Sequence, residues 1–149
     1  MFGRKTAAAV IVSTVMLFSG CMKRSIEPLN CSEFSDKMYQ KGFCSREDGV
    51  TSDSEDGTSV IIQAKNGWLA GFYECSDREV AENEFNSVCN AAGIESFSGG
   101  DSYGIGEKTT DSSYYYYAYT ENTCLFMIGT PDNAEEIKDF AKELGYTEE

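Results

Sequence analysis

The sequence predicts an α+β domain in which a mostly antiparallel sheet of about six strands is backed by three helices packed on one face, as two layers. Three observations point there. Lys65-Asn66-Gly67 separates two apolar, β-branched and aromatic runs, Thr58 to Ala64 and Trp68 to Cys75, which is a strong short-range hairpin signal. Three other segments repeat apolar residues with the period of a helix. Finally, the chain overlays on itself at an offset of 56, Asn66 meeting Asn122, Leu69 meeting Leu125 and Phe72 meeting Ile128.

In chain order, residues 22–30 contain Pro28 and no period, and read as a tether. Ser32 to Gly42 is a short helix with Phe34 and Met38 four apart and glycine as its stop. Phe43 to Glu47 suits a strand, and Asp48 to Gly57 is an acidic, turn-rich loop. After the first hairpin a helix opens with Ser76 as N-cap and Glu79 three residues on, carries Ala81, Phe85, Val88, Cys89 and Ala92 on one side, and ends at Gly93. Ile94 to Phe97 is extended, and Gly99 to Ser112 reads as a loop. A second hairpin, Ser113 to Thr130, turns near Asn122. The last helix is capped by Asp132, buries Ile137, Phe140, Ala141 and Leu144, and stops at Gly145. The domain thus occupies residues 32–149, with pseudo-repeats over about 43–93 and 94–146.

A two-residue turn at Asn66-Gly67 sets Val60 opposite Tyr73, Ile62 opposite Gly71 and Ala64 opposite Leu69 on the side facing the helices. The other side then carries Ile61, Phe72 and Trp68. Through the offset, Tyr115, Tyr117, Tyr119, Cys124, Phe126 and Ile128 share that side, while Tyr114 and Tyr116 turn toward the helices. An open apolar surface of this breadth commonly marks an interface, so Ile61, Trp68, Phe72, Tyr115, Tyr117, Tyr119, Phe126 and Ile128 form the candidate binding face. Two alternatives stay open: the two long loops fold over this face, or the register slips by one and exchanges the sets.

The N-terminus, MFGRKTAAAVIVSTVMLFSGCMKRS, has the three-part plan of a secretory signal: the cations Arg4 and Lys5, an apolar run from Ala7 to Phe18 too short to cross a bilayer, and small residues before a cysteine. Leu17-Phe18-Ser19-Gly20-Cys21 resembles the lipobox of bacterial lipoproteins. The resemblance implies cleavage after residue 20, acylation of Cys21 as lipid anchor, residues 21–31 as lipidated N-terminus and tether, and a place on the extracytoplasmic side of the cell membrane. Removing Arg4 and Lys5 leaves 10 Lys and Arg against 25 Asp and Glu, a formal charge of −15 instead of −13. That balance repels phosphate backbones and argues against nucleic acid.

The chain has no histidine, which removes the commonest general base and metal ligand and every Ser-His or Cys-His nucleophile. Gly104 to Thr109 departs from a phosphate loop because Glu107 separates Gly106 from Lys108. Ser52 to Gly57 shares only acids near a glycine with a calcium loop. No cofactor or metal is expected. Beyond Cys21, five cysteines in an oxidising setting allow two disulfides, expected as Cys31–Cys75 and Cys44–Cys89, with Cys124 free; in an anaerobic setting all five are buried thiols. The expected function is a non-enzymatic, membrane-tethered binding module for a protein or glycan ligand or for a second copy of itself. The alternatives are a small hydrolase or enzyme inhibitor using acidic loop residues, and a purely structural envelope component.

Overall fold

The structure, a computed structural model, describes residues 26–148. The lipobox and Cys21 lie outside them. The chain runs α1 (Cys31–Gln40), β1 (Gly49–Ser54), β2 (Gly57–Gln63), β3 (Leu69–Cys75), α2 (Arg78–Ala92), β4 (Phe97–Gly99), β5 (Tyr103–Thr109), β6 (Tyr114–Thr120), β7 (Thr123–Gly129), a 3₁₀ turn (Pro131–Asn133) and α3 (Ala134–Leu144). All strands join one antiparallel sheet in the order β1-β2-β3-β7-β6-β5-β4. The class is α+β, as expected, but the sheet of the described residues has seven strands and carries helices on both faces.

Local chemistry sets the helix ends. Asn30 caps α1: its side chain accepts the Glu33 N–H and Glu33 accepts the Asn30 N–H, each at 2.9 Å. Asp77, one residue after the expected cap, holds the Val80 N–H at the head of α2. Gly93 and Gly145 end α2 and α3 in the left-handed conformation that glycine adopts most cheaply. Before α3, the Asn133 side chain accepts from both the backbone and the hydroxyl of Thr130, replacing the expected Asp132 cap.

The first hairpin closes with three loop residues, Lys65, Asn66 and Gly67. Ala64 N–H donates to the Trp68 carbonyl at 2.8 Å, and Gly67 has a φ of 94°. Val60 therefore opposes Phe72, and Ile62 opposes Ala70. This one-residue slip reverses β3 relative to the two-residue expectation. Phe72 and Trp68 join Val60, Ile62 and Ala64 on one face, whereas Tyr73, Gly71 and Leu69 turn to the other with Ile61.

The helices divide between the faces, which corrects the expectation of one helical layer. On one side α1 and α3 bury Phe34, Met38, Ile137, Phe140 and Leu144 against Val60, Phe72, Tyr114, Tyr116, Leu125 and Met127. On the other, α2 buries Ala81, Phe85 and Cys89 against Tyr117, Tyr119, Cys124 and Phe126. Burying a ring the size of Phe85 contributes about 1.5–3 kcal/mol. A rotation carrying β2 onto β6 and β3 onto β7 in this sheet would keep the helices that follow them on one face. With α2 and α3 on opposite faces, the two halves are not copies related by such a rotation.

Alternate glycines in β5 let α2 lie close. A Cβ at Gly106 would meet Cys89 Sγ and Ile94 Cγ2 at 3.1 Å, and one at Gly104 would stand 2.7 Å from Tyr119 Cε1. The stretch expected as a loop is thus a strand under a helix. At the chain's start, Ile26 is buried and its carbonyl accepts the Thr120 hydroxyl at 3.0 Å, while the Leu29 N–H donates to the Tyr146 hydroxyl at 3.2 Å. The expected tether is therefore docked from residue 26 onward. No helix among the described residues is long and apolar enough to cross a membrane.

Candidate functional site

The structure divides the eight residues of the expected binding face. Trp68 and Phe72 are fully buried beneath α1 and α3: Trp68 packs on Phe43 and Phe140 with ring centroids 5.1 and 5.9 Å away, and Phe72 stacks on Phe34 at 5.0 Å. The other six do share the opposite face, but α2 covers Tyr117, Tyr119 and Phe126. Ile61 is exposed and Tyr115 and Ile128 are half-buried, flanking the helix.

What remains open is the part of this face over β1, β2 and the Leu69–Gly71 end of β3, beyond the stretch of β3 that α2 covers at Tyr73 and Cys75. Cross-strand pairing lines up Val50, Ile61 and Gly71 in one row with Phe126, and Leu69 in the next with Ile128. Val50 is 69% exposed, Ile61 40% and Leu69 37%, an apolar strip with no helix over it. Behind the strip an edge-to-face series of rings runs under the flank of α2: Tyr73 to Phe126 at 5.1 Å, Phe126 to Tyr117 at 5.3 Å and Tyr117 to Tyr115 at 6.0 Å. The strip is thus continuous with a packed aromatic row on the same face.

At the end of the strip nearest the head of α2 lies a cleft of about 200 Å³ between β1–β2 and the helix. Tyr73 and Val80 form its apolar side, the hydroxyls of Ser52, Ser54 and Ser59 line another, and Asp56 and Glu84 add carboxylates with no basic residue in the lining, whereas the Glu74 carboxylate accepts the Cys31 N–H on the opposite face. Burial first, and then the Glu84 charge, raise the Tyr73 phenol. The cleft is an electronegative pocket with a greasy wall. It suits a group that is apolar along its stem and cationic at its tip.

Cys75 closes the floor of this cleft beside Cys124. Their side-chain contact is the main influence on both: it lowers Cys75 against burial and raises Cys124 together with burial. The Cys124 thiol donates to the Ala81 carbonyl at 3.0 Å. The expected disulfides are not formed, and all five described cysteines are free thiols. The sheet separates each expected pair: Cys44 belongs to the α1–α3 side and Cys89 to the α2 side, and Cys31 packs on the α1 side while Cys75 faces α2.

The remaining motifs are accounted for structurally. Lys108, at the end of the glycine-rich stretch, donates to the carbonyls of Ala92 and Gly93 at 3.1 and 2.9 Å and so holds the C-terminus of α2. Asp53, in the acidic segment expected as a loop, accepts the Thr58 hydroxyl at 2.8 Å across the β1–β2 pair. Among the described residues no three His, Cys, Asp or Glu side chains converge as a metal site. Sequence reasoning missed Val50, Leu69, Tyr73 and Glu84; the alternation Gly104-x-Gly106 was the available sign that a helix lies over this face and leaves only part of it open.

No protein-family model matches the chain, and no curated protein matches it. Among solved structures, a GTP binding regulator from Thermotoga maritima is similar with 14% identity over 75% of this chain and 86% of that one, at a TM-score of 0.43, too distant to bear on function.

Proposed function

We propose that this chain is a membrane-anchored extracytoplasmic lipoprotein whose domain is a non-enzymatic binding module for a polypeptide partner. The observation that carries the reading is the uncovered strip Val50, Ile61 and Leu69, continuous with an electronegative cleft on the same face. The Leu17 to Cys21 motif supports the anchor, which would hold the module at the membrane surface through acyl chains worth about 0.8 kcal/mol per buried CH₂. The strip is narrower than the aromatic face expected from the sequence, because α2 occupies the rest. A half-open apolar surface with a charged margin fits recognition of a partner.

Two experiments in intact cells test the two parts. Metabolic labelling with a clickable fatty acid should mark the chain, and Cys21→Ser should remove the label; equal labelling of the variant refutes the anchor. A photo-crosslinking residue at position 61 or 69 should give a discrete adduct, and the same residue at Asp139, exposed on α3, should give none. Equal crosslinking at all three positions, or none at 61 and 69, refutes the binding surface.

A further inference from the structure

Strand β1 forms one outer edge of the sheet, and nothing among the described residues lies over it. All six residues are exposed, and none of the turn, loop or cap hydrogen bonds of the backbone involves them. In an antiparallel ladder, alternate residues point their N–H and C=O groups away from the paired strand, so half of β1 presents backbone donors and acceptors outward. Natural edges are commonly protected by charged side chains, above all lysine, by proline or by a bulge. β1 has no lysine or proline, its one charge, Asp53, accepts the Thr58 hydroxyl of β2, and its six pairs with β2 run without interruption from Gly49–Ile62 to Ser54–Gly57. The opposite edge, β4, has only three residues.

We propose that β1 takes up an extended, cationic polypeptide segment as an eighth strand; this rests on the binding-module reading above and names the chemistry of its partner. Glu47, Asp48, Asp53, Glu55 and Asp56 lie within or beside β1. The one cation close by in sequence, Arg46, is held by Asp36 at 3.2 Å and stacks over the Tyr39 ring at 4.2 Å. A second copy, with a formal charge of −15 once Arg4 and Lys5 are removed, would bring like charge to this edge; a basic segment brings the opposite. The two rows on the α2 side define its pattern. A side chain beside Val50 and Ile61 meets only apolar neighbours. One two residues along, beside Ser52, stands at the mouth of the cleft, where a lysine or arginine extends over Ser52 and Ser59 into the field of the Asp56 and Glu84 carboxylates. Added backbone pairing supplies affinity and the alternating pockets supply selectivity.

The probe is a labelled nine-residue peptide, Thr-Val-Thr-Lys-Thr-Val-Thr-Lys-Thr, which sets valine and lysine two residues apart on one face, titrated by fluorescence anisotropy onto the full chain in nonionic detergent. Binding should weaken as salt rises. Replacing the lysines by glutamate should weaken it at least about tenfold, since the electrostatic contribution then reverses sign. Peptides N-methylated at alternate amides in the two possible phases should separate: the phase that blocks the amides facing β1 loses binding by about tenfold or more, and the other phase keeps it, because only one edge of an added strand is bonded. Equal binding of both N-methylated phases overturns strand addition, and equal binding of the glutamate peptide overturns the cationic partner. No binding of the parent peptide overturns the inference as a whole. The crosslinking at positions 61 and 69 decides the module reading independently, because an adduct there needs no added strand.

Discussion

Trp68 is the one tryptophan of the chain, and its replacement distinguishes a core residue from a contact residue. The side chain is fully buried between Phe43 and Phe140, and its Nε1 has no hydrogen-bond partner. Trp68→Ala removes an indole from a site that cannot collapse freely, since Gly129 is already close to its Cβ; a cost of about 3–5 kcal/mol follows. For a domain stable by about 5–15 kcal/mol that is a large fraction of the total. At a urea dependence of about 2 kcal/mol per molar, a 4 kcal/mol loss lowers the midpoint by roughly 2 M. Trp68→Phe behaves differently. It gives up part of the ring but also removes a buried donor left unpaired, a penalty of about 1–3 kcal/mol, so the two effects offset and the net cost stays below about 2 kcal/mol. Urea unfolding followed by far-ultraviolet circular dichroism reads both variants, and the emission of the native protein should be that of a buried indole. A Trp68→Ala midpoint within about 0.3 M of the native one, or emission typical of an exposed indole, would refute the placement of Trp68 in the core.

Three further outcomes follow from named contacts. Burial pushes Tyr117, Tyr146 and Cys89 each up to about 12, from ordinary values of 10, 10 and 9. Below pH 9 both states keep these protons; above it the unfolded chain releases protons that the folded one retains. Stability therefore falls as pH rises, most steeply between about pH 10 and 12, at roughly 1.4 kcal/mol per pH unit for each group. Urea midpoints measured across pH 8–12 check this, and a flat profile contradicts it. Lys108→Met keeps the stem but removes the cation from the end of α2, costing about 0.5–1.5 kcal/mol and speeding amide exchange in the last turn of that helix. Tyr146→Phe deletes the acceptor for Leu29 N–H and the partner of Thr123 at 2.7 Å, costing about 1–3 kcal/mol; limited proteolysis should then cut near residue 27 faster than in the native chain.

The helices were legible because each carries its own boundary chemistry: Gly93 and Gly145 stop α2 and α3, and apolar residues at helical spacing mark their buried sides. The split of the tyrosine run was legible too, with Tyr114 and Tyr116 in one core and Tyr115, Tyr117 and Tyr119 on the other face. Two strands were not. β1 is exposed on both faces, so GVTSDS has no hydrophobic alternation to read. β5 has glycines where alternation would place large residues, because α2 fills that space. The register of the first hairpin depended on whether Asn-Gly forms a two- or three-residue loop, and that single residue decided which way Trp68 and Phe72 point. Nothing local encodes which face α2 covers. Its connection sets that, since the chain leaves β3 near the middle of the sheet and re-enters at the far edge as β4.

With the proposed anchor, the docking of Ile26 limits how the domain would stand. An acylated Cys21 lies five residues ahead of a side chain locked in the core, and five residues span at most about 18 Å even when fully stretched. Such a leash is shorter than the domain is tall. The protein would then behave less like a float on a line than like a post set in the ground, with the β6–β7 turn beside Thr120 at its foot and the Asn66-Gly67 loop at its crown. The β1 edge would stand upright along one flank, facing sideways, within reach of a neighbour moored to the same bilayer.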